Sequence, residues 1–190
     1  MINKLRFGLF LTIAAIVMAA FIMSIGVKDD KREIEKAVLT LNQPMAHLAD
    51  IEVLERNKVI AFYEWGQGTA SGEYFGIAVL AKNLFGGWHF RSGATSVTPD
   101  DYKLGWSFQD LKREFSDYTD MIYGKILDAD IKSVLVTTKQ GKQYSAKIME
   151  YDYGERFWFL ITDGVDLVDA TIKGLSINGE TIEQIPKYNL

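Results

Sequence analysis

Lys132-Ser-Val-Leu-Val-Thr-Thr-Lys-Gln-Gly-Lys-Gln-Tyr-Ser-Ala-Lys-Ile148 is the stretch that decides the fold. Ser133–Thr138 and Gln143–Ile148 are rich in β-branched and aromatic residues. The four residues between them, Lys139-Gln-Gly-Lys142, carry turn chemistry. Two such runs around a short glycine turn predict a β-hairpin. The pattern continues on both sides. Met121–Leu127, Arg156–Thr162, Ala170–Leu175 and Thr181–Ile185 read as further strands, and Gln143 continues to Tyr151. Asp152-Tyr-Gly-Glu155 and Asn178-Gly179 supply the turns.

Upstream, Ile51–Glu55, Val59–Trp65, Tyr74–Ala81 and Trp88–Arg91 read as an antiparallel meander. Gly66-Gln-Gly-Thr-Ala-Ser-Gly72-Glu73 is a loop within it. Between the two groups, Ser92–Asp120 is irregular, with a short helix expected within 101–118 and Trp106 and Phe108 as anchors. Short strands at regular spacing predict a mainly β domain, a sandwich or a curled barrel-like arrangement of antiparallel sheets rather than βαβ units. The groups before and after the irregular middle suggest two sheets. Phe157-Trp158-Phe159 is apolar on both faces of its strand, which predicts a central strand covered on both sides.

The N-terminal end obeys a different rule. Phe7–Val27 is an uncharged run of 21 residues, about 30 Å as a helix and so long enough to span a bilayer. A cleaved signal peptide is the alternative, with Ser24 and Gly26 before the cut, but the run is long for one and lacks an A-x-A site. Counting Lys and Arg alone favours a cytoplasmic C-terminal side, given Lys28, Lys31, Arg32 and Lys36. The start-proximal Lys4 and Arg6 followed directly by an apolar helix, with no cysteine in the chain, favour the opposite orientation. The expected organisation is an anchor at 1–27, a helical stalk at 28–46 and a β-rich domain at 47–190 outside the cytoplasmic membrane. In the stalk, Ile34, Ala37, Val38 and Leu41 share one helical face that can pack on the domain.

Composition narrows the chemistry. The 190 residues carry a net charge of −4, and the first 27 hold Lys4 and Arg6 without an acid, leaving −6 for the rest. A domain that acidic repels phosphate, so nucleic acid is not an expected partner. With no cysteine, disulfides, thiol nucleophiles and cysteine-held metals are excluded, and so is a lipidated anchor.

No motif carries a catalytic set. His47 and His89 are far apart and neither stands in H-E-x-x-H. Gly66-x-Gly68-x-x-x-Gly72 is off the dinucleotide spacing, and a strand follows it. Asp128 and Asp130, and Asp163, Asp166 and Asp169, read as turn carboxylates because the EF-hand pattern is missing. No cofactor, metal ligand or catalytic residue is assigned. Aromatics near loop ends are the candidate binding residues: Trp65, Trp88 and, beside the latter, Arg91.

Val59–Trp65, Phe75–Trp88, Lys132-Ser-Val-Leu-Val, Arg156-Phe-Trp-Phe and Lys173-Gly-Leu-Ser-Ile-Asn-Gly, in this order, resemble small membrane-anchored and lipoprotein-type proteins of Gram-positive spore-forming bacteria. The resemblance implies a surface-exposed domain and transfers no functional residue. This chain lacks the lipidated cysteine of the lipoprotein members, so the helix would be its anchor. The expected function is a non-catalytic binding module whose partner is an envelope protein or a cell-wall component. An envelope hydrolase with a dispersed carboxylate pair, or an accessory subunit held through Ala14-Ala15 and Ala19-Ala20, are the competing expectations. The oligomeric state is not legible.

Overall fold

The computed structural model describes residues 30–40, 45–65, 73–83, 87–98 and 101–185. Residues 1–27, with the expected anchor, lie outside the described residues, as do 66–72. Among the described residues no helix is long and apolar enough to cross a membrane.

The described residues form one α-helix, α1 (30–39), and three four-stranded antiparallel sheets. The first sheet is a meander of β1 (Met45–Glu55), β2 (Lys58–Trp65), β3 (Glu73–Lys82) and β4 (Trp88–Thr98). The second has the order β5-β6-β10-β9: β5 (Ser107–Asp110), β6 (Asp120–Ile126), β10 (Arg156–Ile161) and β9 (Lys147–Glu150). The third has the order β12-β11-β7-β8: β12 (Thr181–Ile185), β11 (Thr171–Leu175), β7 (Ser133–Thr137) and β8 (Gln143–Ser145). The fold is mainly β, as the periodicity predicts.

Three apolar layers hold these elements. On one face of the first sheet, Ile34, Ala37 and Val38 of α1 pack on Val59, Ala61, Tyr63, Ala78, Leu80 and Trp88. Ala61 and Ala78 are register partners. Two small side chains there let the helix approach closely. The opposite face carries Ile60, Phe62, Phe75, Ile77 and Val79, which meet Met121, Tyr123, Phe157 and Phe159 of the second sheet. Phe62 lies 4.6 Å from Phe157 and 4.9 Å from Phe159 between ring centroids, and such pairs add about 0.5–1.5 kcal/mol beyond burial. The far face of the second sheet presents Ile122 and Trp158 to Val134, Val136, Ile172 and Ile185 of the third.

The second sheet is therefore the middle layer. Phe157 and Phe159 face one neighbour and Trp158 the other, all buried, so the expectation for this strand holds. Trp158 is paired with Gly124 on β6. The segment Leu104–Trp106 crosses there, and a Cβ on Gly124 would stand 2.0 Å from the Gly105 carbonyl oxygen. The Trp158 indole N–H donates to that oxygen at 3.0 Å.

Three expectations need correction. The strands after the irregular middle form two sheets, because β10 needs cover on both faces. Gln143–Tyr151 is not one strand: it bends at Ala146, so that β8 pairs with β7 in the third sheet and β9 with β10 in the second. A strand that changes sheets at a bend makes a corner between layers. The 101–118 stretch holds no helix but an isolated bridge at Leu104, β5, and turns after Asp110. In addition, β4 runs on beyond Arg91 to Thr98.

Gly124→Ala is expected to destabilise the domain by about 3 kcal/mol or more, because backbone cannot move out of the way. Gly141, at φ 84° with open space around its Cβ position, is the control. Alanine there is expected to cost about 1 kcal/mol. Urea unfolding of both variants checks the contrast.

Candidate functional site

The edges of the first two sheets run side by side. Among the described residues β1 pairs only with β2 and β9 only with β10, and a groove made of two adjoining hollows lies between them. Its wider part, about 500 Å³, is lined by Lys31, His47 to Asp50 of β1 and Met149 to Asp152. Its narrower part, about 380 Å³, is lined by Glu52 to Leu54, Tyr118, Ser145, Lys147 and Phe159 to Ile161. Lys147 Nζ and Glu52 Oε2, 2.7 Å apart, bridge the two walls. Residues 47–54 span about 24 Å at strand rise.

β1 is an irregular wall. Its register with β2 slips between Met45 and His47, between Leu48 and Asp50, and between Val53 and Glu55. Ala46, Ala49 and Leu54 are thus bulged residues. Repeated bulges twist an edge and spoil it for further pairing. Opposite, the turn after β9 places Tyr153 at φ 55° and fully exposed, a left-handed conformation uncommon outside glycine.

At the wider end, the apolar layer between the sheets gives way to charge. Lys125 of β6 is almost wholly buried. Its Nζ stands 2.7 Å from Glu64 Oε1 and 3.2 Å from Glu155 Oε2. The Tyr151 hydroxyl donates to the same Glu64 oxygen at 2.6 Å. His47 stacks on Tyr151, with ring centroids 6.1 Å apart, and its Nε2 is 3.1 Å from Asp152 Oδ2. Burial alone would raise the Glu64 carboxyl, but the hydrogen bonds from Lys125 and Tyr151 outweigh it and hold the group below its usual range. Burial, reinforced by Glu64, pushes the Tyr151 phenol well above its usual value. Glu64 is thus a fixed anion and Tyr151 a fixed donor. The cluster ties the first sheet to the second.

The three residues singled out in the sequence do not converge. Trp65 pairs with Tyr74 at one end of β3 and Trp88 with Lys82 at the other, about 27 Å apart. The Trp65 ring leans on Tyr74 at 4.5 Å and is half-buried. Trp88 is 8% exposed, and its indole N–H donates to Asp30 Oδ1 at 3.2 Å, beside Lys82, which bonds the same oxygen. It fastens α1 to the sheet. Arg91 is exposed, the extra residue of a bulge in β4, and 4.0 Å from Glu114.

The remaining candidates have local roles. Asp128 accepts from the Asp130 N–H and pairs with Lys103, Asp166 accepts from the Val168 N–H, and Asp169 pairs with Lys139. His89 is exposed on β4. Among the described residues no group of three His, Cys, Asp or Glu converges as metal ligands. Burial pushes the Asp120 carboxyl upward. That residue is on β6, at the opposite end from Lys125, and accepts from the Leu167 N–H at 2.8 Å.

Sequence reasoning missed Glu64, Lys125, Tyr151 and Glu155. One signal was present: Lys125 is the only charge within Met121–Ile126, and a lysine inside a doubly covered strand requires a carboxylate. The chain matches no family model, no curated protein and no solved structure.

Lys125→Met is expected to destabilise the domain by about 1–3 kcal/mol, because the half-buried Glu64 is left without its cation. The measurement is the urea midpoint at neutral pH. Tyr151→Phe tests the pH linkage. With Glu64 held below its ordinary value of 4.5, its stabilisation is present above that pH and lost as pH falls through the folded value. Without the hydroxyl, acid unfolding is expected at higher pH. With Tyr151 held above its ordinary value of 10.0, wild type loses stability as pH rises past that value, and Tyr151→Phe is expected to lose less. Unfolding curves across pH read both limbs.

Proposed function

We propose that this chain is a single-pass membrane protein whose β domain stands outside the cytoplasmic membrane and acts as a non-catalytic binding module. Its partner is another envelope protein or a cell-wall component. The observation that carries the binding role is the groove between β1 and β9, an elongated surface feature walled by two sheet edges. Elongated clefts of this size suit an extended ligand better than a compact one. The charged groups at its inner end are already committed to one another: Glu64 and Tyr151 are held in fixed protonation states. Groups so held position a surface rather than exchange protons at neutral pH.

The membrane role rests on Phe7–Val27 and its flanking charges. α1, which follows that run, is fastened to the first sheet by Asp30, Lys82 and Trp88. A tether there would hold the domain near the bilayer.

Two substitutions test the proposal in intact cells. A cysteine at Gln140, in the exposed β7–β8 turn, would be the sole thiol, and labelling by a membrane-impermeant maleimide without lysis is expected. Labelling only after lysis would overturn the orientation. A photoreactive phenylalanine analogue at Val53, exposed in the groove, is expected to form an adduct that the same analogue at Ile177, exposed in the β11–β12 turn, does not. Equal adducts at the two sites, or none at Val53, would overturn the groove as the binding surface.

A further inference from the structure

Resting on the groove as a binding surface, we infer that its occupant is an extended polypeptide segment carrying a lysine or arginine, seated by strand pairing on β9. Three observations carry this inference.

The first is the free edge. In the β9–β10 hairpin the Tyr151 N–H donates to the Glu155 carbonyl at 2.9 Å. By the alternation of an antiparallel ladder, Met149 and Lys147 then direct their backbone groups towards β10, and Ile148 and Glu150 direct theirs away. The outward N–H of Ala146 is taken by the Val134 carbonyl at 2.9 Å. Past that point β9 leaves the third sheet, and the outward groups of Ile148 and Glu150 have no backbone partner among the described residues. Two rungs are therefore open to an incoming strand.

The second is the asymmetry of the walls. β1 carries three bulges and cannot offer a regular ladder. A strand added to β9 would instead turn alternate side chains towards the face of β1 that carries Asp50, Glu52 and Leu54. That places recognition by backbone on one wall and by side chain on the other.

The third is charge. Glu52 is matched by Lys147, and Asp152 by His47. Asp50 and Glu150, at the wider end, form no ion pair among the described residues, and Lys31 is the one lysine or arginine lining that end. The surplus is negative and suits a basic side chain. The narrower end offers apolar side chains, Leu54, Tyr118, Phe159 and Ile161, beside the already paired Glu52 and Lys147. An occupant therefore presents its basic residue and an apolar residue about four positions apart, matching the strand rise along β1.

The probe is a phage-displayed random peptide library, selected on the full-length protein in detergent. Enriched peptides are expected to combine a lysine or arginine with an apolar residue at that spacing. Their binding is expected to weaken about tenfold in the double variant Asp50→Asn/Glu150→Gln, to weaken with added salt, and to vanish when alternate amides of the peptide are N-methylated. No enrichment over the double variant, enrichment of acidic peptides, or full binding of the methylated peptides would overturn the inference. The Val53 adduct separates the two readings. An adduct with a glycan, or with a protein while the library fails, overturns the strand-pairing occupant and leaves the binding role standing. Absence of an adduct in cells overturns the binding role itself.

Discussion

The hydrogen bond from the Trp158 indole to the Gly105 carbonyl sits where three layers of the domain depend on one another. Trp158 fills the space between the second and third sheets. Its own strand presents Phe157 and Phe159 to the first. Gly124 must lack a side chain for Leu104–Trp106 to cross beneath the indole, and a buried indole N–H needs an acceptor. The crossing backbone supplies it. Once β10 is fixed in this way, the aromatic contacts of Phe62 and Phe75 have a surface to close on, and the first sheet takes its place over the second. The edges β1 and β9 come side by side as a result, so the groove follows from the middle strand.

Parts of this were legible in the sequence because they are local. Asn178-Gly179 and Lys139-Gln-Gly-Lys142 announce hairpins, and β12 and β7 lie where those turns put them. The double-sided apolarity of Phe157–Phe159 marked a covered strand. The extension of β4 was illegible because Ser92-Gly-Ala-Thr-Ser96 has no large alternating apolar side chain. It is a strand by virtue of pairing with β3. The bend at Ala146 is set by which partner each half finds, and no residue there signals a break. The groove is harder still: Glu52 and Lys147, which bridge it, are 95 residues apart. Lys125 was readable in principle, but Glu64 and Glu155 among 25 acids were not assignable to it without the sheet order.

The two ends of the first sheet are used differently. α1 covers one face and draws its clamp, Asp30, to Lys82 and Trp88 at the end where β3 finishes. The other end meets the second sheet through a buried lysine between two carboxylates. Replacing such an ion-paired set as a whole by apolar side chains of equal volume is often neutral or stabilising, whereas removing the cation alone is not, so the set serves the alignment of the layers more than their stability. Alignment is what a groove built from two separate sheet edges requires, since a small slip would offset its walls.

The order of strands also sets the order of assembly. The first sheet pairs only sequence neighbours, and every loop it must close is short. The second and third interleave: β6 waits for β10, and β7 waits for β11, each with intervening strands that belong elsewhere. Nearby pairings form early and distant ones late. Loop-closure cost therefore favours a meander complete, with Phe62 and Phe75 still facing solvent, before the chain that covers them is ordered. During that interval the growing polypeptide carries an exposed aromatic sheet, the kind of surface through which partly folded chains associate. The interval ends when β10 brings Phe157 and Phe159 over that sheet.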